Sequence, residues 1–192
     1  MLKKTGCKEN NVVVLEAGDE AFTLAQLRKN GIMQFFDIVQ PANAWHGVDL
    51  NDVSSLFFIF VAEKNLDSLI VDKLDQGGVI PSVAPIPMVM LSALFKRAGN
   101  HGANLIQLTD LFSSYGAAIL KADLDPETDL DLDLIYRHEL SGVYGDADKI
   151  RERLRRYFVT GVNWDDSKEF LFKGIPSPPP HYGQLSARDA GR

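Results

Sequence analysis

Leu56-Phe57-Phe58-Ile59-Phe60-Val61-Ala62 is the longest apolar run in the chain, and its reading decides the fold class. With apolar residues on every side of the helical wheel, it predicts a helix segment buried all round. Asp49 or Asn51 stands where an N-cap belongs, and Gly77-Gly78 stands just past the expected end. After Glu63 and Lys64 the apolar positions Leu66, Leu69, Ile70 and Leu74 narrow to one stripe, as on a helix with a single buried face.

Working outward, the same period supports further helices. Pro87 suits the first turn of one that carries Met88 to Phe95 and stops at Gly99. Another runs from about Ala103 to Lys121, with Leu105, Leu108, Leu111, Phe112, Tyr115 and Ile119 inward. On the N-terminal side, Asn11 to Leu24 reads as a hairpin: Val12, Val13 and Val14 are β-branched, and Ala17-Gly18-Asp19-Glu20 supplies a turn. Thr23 and Gln26 have the spacing of a capping box opening a short helix with Leu24 and Leu27, punctuated by Gly31. Ile32, Phe35, Phe36 and Val39 follow at i, i+3, i+4 and i+7, and Pro41 ends that helix.

The C-terminal third changes character. Asp123, Asp125, Glu127, Asp129, Asp131 and Asp133 form an acidic tract without a base. Leu130, Leu132 and Leu134 alternate with its last aspartates, which fits a short half-exposed strand or a loop entering a helix near Ile135. Asp146 caps a helix through Thr160 with Gly161 as its stop. Its apolar stripe is Ile150, Leu154 and Tyr157 or Phe158; Lys149, Arg151, Arg153, Arg155 and Arg156 cover the remainder. Trp164, Phe170, Leu171 and Phe172 anchor a short segment on the core. Beyond Lys173 the proline-containing stretch is too poor in apolar residues to fold alone. The expected fold is therefore mainly α: one helical domain over residues 1–173 with an N-terminal β-hairpin, and an extended tail over 174–192.

Composition excludes several classes. The chain has 192 residues, 45% apolar and 24% charged, enough for one ordinary domain with a sizeable core. A net charge of -6 argues against general nucleic-acid binding. The single Cys7 cannot close an internal disulfide, which favours a reducing compartment. No apolar run approaches the ~20 residues that span a bilayer, and the polar Thr5–Asn11 stretch lacks the core of a signal peptide. The expectation is a soluble cytoplasmic protein, or one incorporated into a virion, without membrane insertion.

Motifs for chemistry are missing. Reading the acidic tract as an EF-hand from Asp123 puts Thr128 and Leu134 where glycine and the bidentate glutamate belong. Starting at Asp129 puts Leu134 and Leu140 there. His138-Glu139 lacks the second histidine of a zinc-binding H-E-x-x-H helix. Gly142, Gly145 and Lys149 do not have P-loop spacing, and no serine sits in G-x-S-x-G. No catalytic, cofactor-binding or metal-binding set is expected.

The order of hairpin, Thr-Leu-x-x-Leu (Thr23, Leu24, Leu27) and short amphipathic helices resembles tail-assembly chaperones of long-tailed bacteriophages, over about the first third of the chain. That resemblance implies a helical body that binds unassembled tail components. The residue-level reading leads to a compatible expectation: a non-enzymatic protein–protein interaction subunit of a larger assembly, viral structural or assembly proteins included. Its partners are other protein subunits, a second copy of the chain among them. The candidate contact residues are Lys149, Arg151, Arg153, Arg155 and Arg156; Asp123, Asp125, Asp129, Asp131 and Asp133; and Pro178, Pro179, Pro180 and Tyr182 on the C-terminal arm. Two alternatives are a small enzyme using Tyr136, Arg137, His138 and Glu139, and a regulatory nucleic-acid binder using Lys149 to Arg156.

Overall fold

The run Leu56–Val61 is a strand, and so are most of the other stretches expected as helices, which makes the protein mainly β: 36% strand against 23% helix. In the computed structural model, which describes residues 6–74, 78–99, 101–109 and 116–183, the chain order is β1 (Val12–Gly18), β2 (Ala21–Leu27), β3 (Ile32–Gln40), β4 (Val48–Asp49), β5 (Ser55–Val61), α1 (Glu63–Leu69) and β6 (Ile70–Lys73). It continues with β7 (Val79–Ile80), β8 (Val89–Phe95), β9 (His101–Gln107), β10 (Ala118–Lys121), α2 (Asp129–Arg137), β11 (Val143–Tyr144), α3 (Ala147–Thr160) and α4 (Ser167–Leu171).

A curled six-stranded sheet in the order β11-β5-β3-β2-β1-β6 forms a half-barrel, antiparallel except for the β11–β5 pair. Both of its faces are covered, which is why β5 is apolar at every position after Ser55. Phe57, Ile59 and Val61 point to one face, where they join Val13, Leu15, Met33, Phe35 and the α3 residues Ile150 and Leu154. Phe58 and Phe60 point to the other, against Met90 and Ile106 of β8 and β9. A central strand buried on both faces has the same apolar signature as a buried helix segment, and the Phe, Ile and Val content favours the strand.

The helical period at Ile32, Phe35, Phe36 and Val39 is coincidental. Phe35 and Phe36 point to opposite faces, as successive strand residues do: Phe35 stacks on Phe57 at 4.5 Å between centroids, and Phe36 joins Trp45 and Leu50. Thr23 is no cap; it lies within β2 and its hydroxyl donates to the Phe36 carbonyl. The turn into β3 is made by Asn30 and Gly31, both at positive φ, a conformation that this dipeptide adopts at little cost.

Residues read as helices around Met88–Phe95 and from Ala103 form instead the antiparallel pair β8–β9, which with β10 makes a second, three-stranded sheet. Leu111, Phe112 and Tyr115 of the expected second helix lie outside the described residues, as do Gly77 of the first helix's expected stop and residues 184–192 of the tail. The second sheet turns Met90 and Ile106 toward the half-barrel, and Leu91, Ala103 and Leu105 toward α2, α4 and Trp164. The helical body implied by the phage-chaperone resemblance is therefore not the body of this chain.

Two helices follow their sequence signals. α3 starts at the Asp146 cap, whose carboxylate accepts from the Asp148 and Lys149 amides. It ends at Gly161 in the left-handed conformation, with Ile150, Leu154 and Tyr157 buried. The aspartate–leucine alternation is neither strand nor loop but α2, capped by Thr128, with Asp129 and Asp131 in a first turn where acids favour the helix dipole.

The extended stretch Pro81–Pro87 crosses the half-barrel without joining a sheet. Gln26 holds it: its Nε2 donates to the Ser82 carbonyl (3.1 Å) and its Oε1 accepts from the Ser82 amide (2.8 Å). Gln34 extends this buried row to Ser55 and Ser82. Replacing Gln26 by Ala strands two buried backbone groups and is expected to lower stability by about 2–4 kcal/mol, read by urea unfolding. A loss under about 1 kcal/mol would mean that water replaces the amide without penalty.

Candidate functional site

Two places concentrate functional groups. The first begins where α2 ends. Beyond His138 the chain straightens, and residues 139–141 run beside β8, with Leu91 donating to the Glu139 carbonyl and Ser141 to that of Leu91. This registers the Glu139 side chain against α3. Arg153 grips it bidentately, Nη1 to Oε2 at 2.9 Å and Nη2 to Oε1 at 2.6 Å, with side chains only 5% and 13% exposed. Arg153 Nε donates to Asn163 at 2.8 Å, Asn163 donates to the Leu56 carbonyl at 3.0 Å, and the guanidinium lies 3.9 Å from the Phe57 ring centroid.

Lys168 and Asp165 extend the cluster. Lys168 is fully buried, and its ammonium donates to the Ile135 carbonyl in the last turn of α2, at 2.8 Å, with the Trp164 ring 5.3 Å away. Burial pushes the Lys168 pKa down while the Glu139 carboxylate opposes this. For Glu139 burial works against ionisation, but Arg153 and Lys168 outweigh it and hold its pKa below the ordinary value. Asp165 accepts from Tyr144 and from the Ser167 amide, yet burial and the Glu139 charge raise its pKa to about 6. Every strong group in this centre has a partner, so it reads as a structural clamp between α2, α3 and α4.

Cavities flank it. One, of about 170 Å³, lies between the half-barrel and the Pro87–Met90 segment, with Arg137, His138 and Glu139 at its polar end. Another, of about 250 Å³, is bounded by Tyr136, Arg137, Tyr157, Asn163, His181 and Tyr182. Of the four residues of the alternative enzyme reading, Arg137, His138 and Glu139 line the first cavity, and Tyr136, Arg137 and Glu139 the second.

The second place is a groove of about 610 Å³ running between β9, α4 and the acidic tract. Asp123, Asp125 and Glu127 line it, joined by Lys96 and Lys173. At its mouth the His101 ring stacks on Phe170 at 4.9 Å and meets the edge of Phe95 at 5.5 Å. Phe95 and Phe170 are 72% and 62% exposed. On β10, an edge strand whose outer side no described residue pairs, Ile119 and Leu120 are exposed as well.

The acidic and basic segments do not meet. Asp123 pairs with Lys96, Asp131 is buried against Lys121, and Asp133 holds Arg137 and Tyr182. Asp125 caps a local turn and Asp129 is exposed on α2. On α3, Arg151 pairs with Asp148, Arg155 with Glu152 and Arg156 with Asp166, while Lys149 is exposed. Arg153, Asp131 and Pro178 sit in the chain's own core. Gly174–Gly183 folds back rather than extending. Tyr136 donates to the Pro176 carbonyl at 2.9 Å, Tyr182 packs edge-on to Tyr136, and His181 covers Gly161 so closely that a Cβ there would stand 2.7 Å from its Nε2. Pro179 and Pro180 remain exposed. Lys168, Asp165 and the Phe95–His101–Phe170 stack carried no local signal, because their partners are remote in sequence. Among the described residues no three His, Cys, Asp or Glu side chains converge as a metal set, and no helix is long and apolar enough to cross a membrane.

A family model described as "Domain of unknown function (DUF8309)" matches residues 2–177. The chain belongs to that family. No curated protein and no solved structure matches it. The clamp and the groove both fall within the DUF8309 match.

Breaking the clamp should be costly. Glu139→Gln or Arg153→Met alone is expected to remove about 3–5 kcal/mol by leaving a buried charge unpaired, and Glu139→Leu with Arg153→Met to restore most of it. Urea unfolding of the three variants decides this; equal losses in the double variant would show that packing, not charge, is at stake. Asp165 sets a pH dependence of the opposite sense to an ordinary paired carboxylate. Its folded pKa of about 6 lies above the ordinary 3.8, so the folded state holds a proton that the unfolded state has released. Its contribution is greatest near pH 4 and falls as pH rises through 6, by up to about 3 kcal/mol. The difference in stability between the parent and Asp165→Asn should therefore grow in favour of the variant from pH 4 to 7; a flat difference would contradict the assignment.

Proposed function

We propose that this DUF8309 protein is a non-enzymatic interaction subunit that docks a basic, extended segment of a partner protein in the groove beside β10. The observation that carries the reading is the solvent-facing Phe95–His101–Phe170 stack at the mouth of an acid-lined groove. Two exposed phenylalanines on either side of one histidine present apolar area worth about 1.5–3 kcal/mol per ring once covered. Aromatic anchors of this kind dominate binding energy at interfaces. The adjacent carboxylates of Asp125 and Glu127, with a net charge of -6 on the chain, select a cationic partner and speed its approach. The outer edge of β10 offers backbone groups to an added strand.

This places the contact surface on part of the acidic tract rather than on α3 or the C-terminal arm. The arginines of α3 are engaged within the chain, and the described part of the arm lies on the core. An assembly subunit needs only one such face to be recruited.

The test places a photo-crosslinking residue at position 170 in the full chain, in its native source, with a parallel chain carrying Asp125→Asn and Glu127→Lys. The expected result is crosslinks to a lysine- or arginine-rich segment of one protein, lost at least about tenfold in the charge-altered chain while circular dichroism is unchanged. Crosslinks that ignore the charge change, or none at all, would overturn the reading.

A further inference from the structure

The cavity at the end of α2 has features that a structural clamp does not require. Its walls are apolar, from Ile32 and Phe58 of the half-barrel and Ile86 and Met90 of the segment laid over it, and its volume is about 170 Å³. Dry cavities near 150 Å³ in another protein admit one benzene ring, so the space matches a single six-membered ring. Its polar lining is Ser55 and, at the end of α2, Arg137 and His138 beside the paired Glu139.

The chemistry of that end is specific. His138 Nδ1 lies 3.3 Å from the Val89 carbonyl, which can only accept, so Nδ1 carries the hydrogen and Nε2 keeps its lone pair. Among the described residues Nε2 takes no hydrogen bond. Burial lowers the His138 pKa, opposed by the Val89 bond and by Asp133 and Glu139, while Lys168 adds to the lowering. The ring is thus neutral at pH 7 and acts as an acceptor. Arg137 commits its Nε to Asp133 at 2.7 Å, and its guanidinium is turned to Tyr182, 5.9 Å from that ring's centroid. An acceptor beside a largely apolar, ring-sized space complements one hydroxyl donor on one ring. A carboxylate would face the Nε2 lone pair and the Glu139 charge.

We infer that this cavity is a binding site for a single-ring, hydroxyl-bearing ligand of the phenol class, its hydroxyl donating to His138 Nε2. The site is separate from the docking groove and stands without it.

Phenol itself is the probe, titrated into the full chain carrying 15N-histidine, with toluene and benzoate as comparisons. The His138 resonance is assigned by its loss in His138→Gln. Expected are a saturable change in the His138 Nε2 shift with phenol and binding at least about tenfold weaker for toluene, which lacks the hydroxyl. Benzoate should also bind more weakly, and phenol should lose affinity as pH falls and Nε2 protonates. Ile86→Trp, which fills the space, should abolish the response. Toluene or benzoate binding as well as phenol overturns the hydroxyl assignment. A linear, unsaturated phenol response in the parent chain overturns the site, whether or not the tryptophan variant folds.

Discussion

The bidentate Arg153–Glu139 pair is the contact on which the arrangement of the two sheets depends. Arg153 belongs to the helix that covers the half-barrel; Glu139 belongs to the segment that edges the second sheet. An ion pair this buried contributes little net stability over a well-packed apolar pair, because both charges have lost their hydration. Its value lies in geometry. A planar guanidinium joined to a carboxylate, to Asn163 and to the Phe57 face fixes distance and angle together. Lys168 then closes the last turn of α2 from behind, so α2, α3 and α4 share one polar centre.

A second polar device works on the other side of the half-barrel. Gln26 and Gln34 occupy buried strand positions that would ordinarily be apolar, and Gln26 engages both backbone groups of Ser82 much as a neighbouring strand would. The proline-containing stretch needs such help, since Pro81, Pro85 and Pro87 bring no amide hydrogens to a ladder. Holding that stretch in place also walls the ring-sized cavity, so the packing device and the proposed ligand site are one construction.

Charge is distributed unevenly between these regions. Arg151 and Arg155 of α3 face acids one turn away, and Arg156 faces Asp166 beside α4, which neutralises the helix locally. The acidic tract is only partly matched: Asp123, Asp131 and Asp133 have cations, whereas Asp125 and Glu127 open onto the groove with the aromatic stack. Unmatched acids beside exposed aromatic rings are the combination that gives both steering and anchoring.

What the sequence determined alone were features whose causes are local. Asp146 and Gly161 bracket α3 because a carboxylate satisfies the first amides and glycine tolerates the left-handed turn. The hairpin β1–β2 was legible from its β-branched run and turn residues. The fold class was not legible. Leu56–Val61 is apolar on all sides whether it is a helix in a core or a strand between two covered faces, and only the presence of α3 on one side and β8–β9 on the other distinguishes them. Buried Gln26 and Gln34 hid the alternation of β2 and β3, and apolar residues on both covered faces of β3 counterfeited a helical period. The partners of Glu139, Lys168 and Phe170 lie on separate elements, so the clamp and the groove exist only once the sheets have packed.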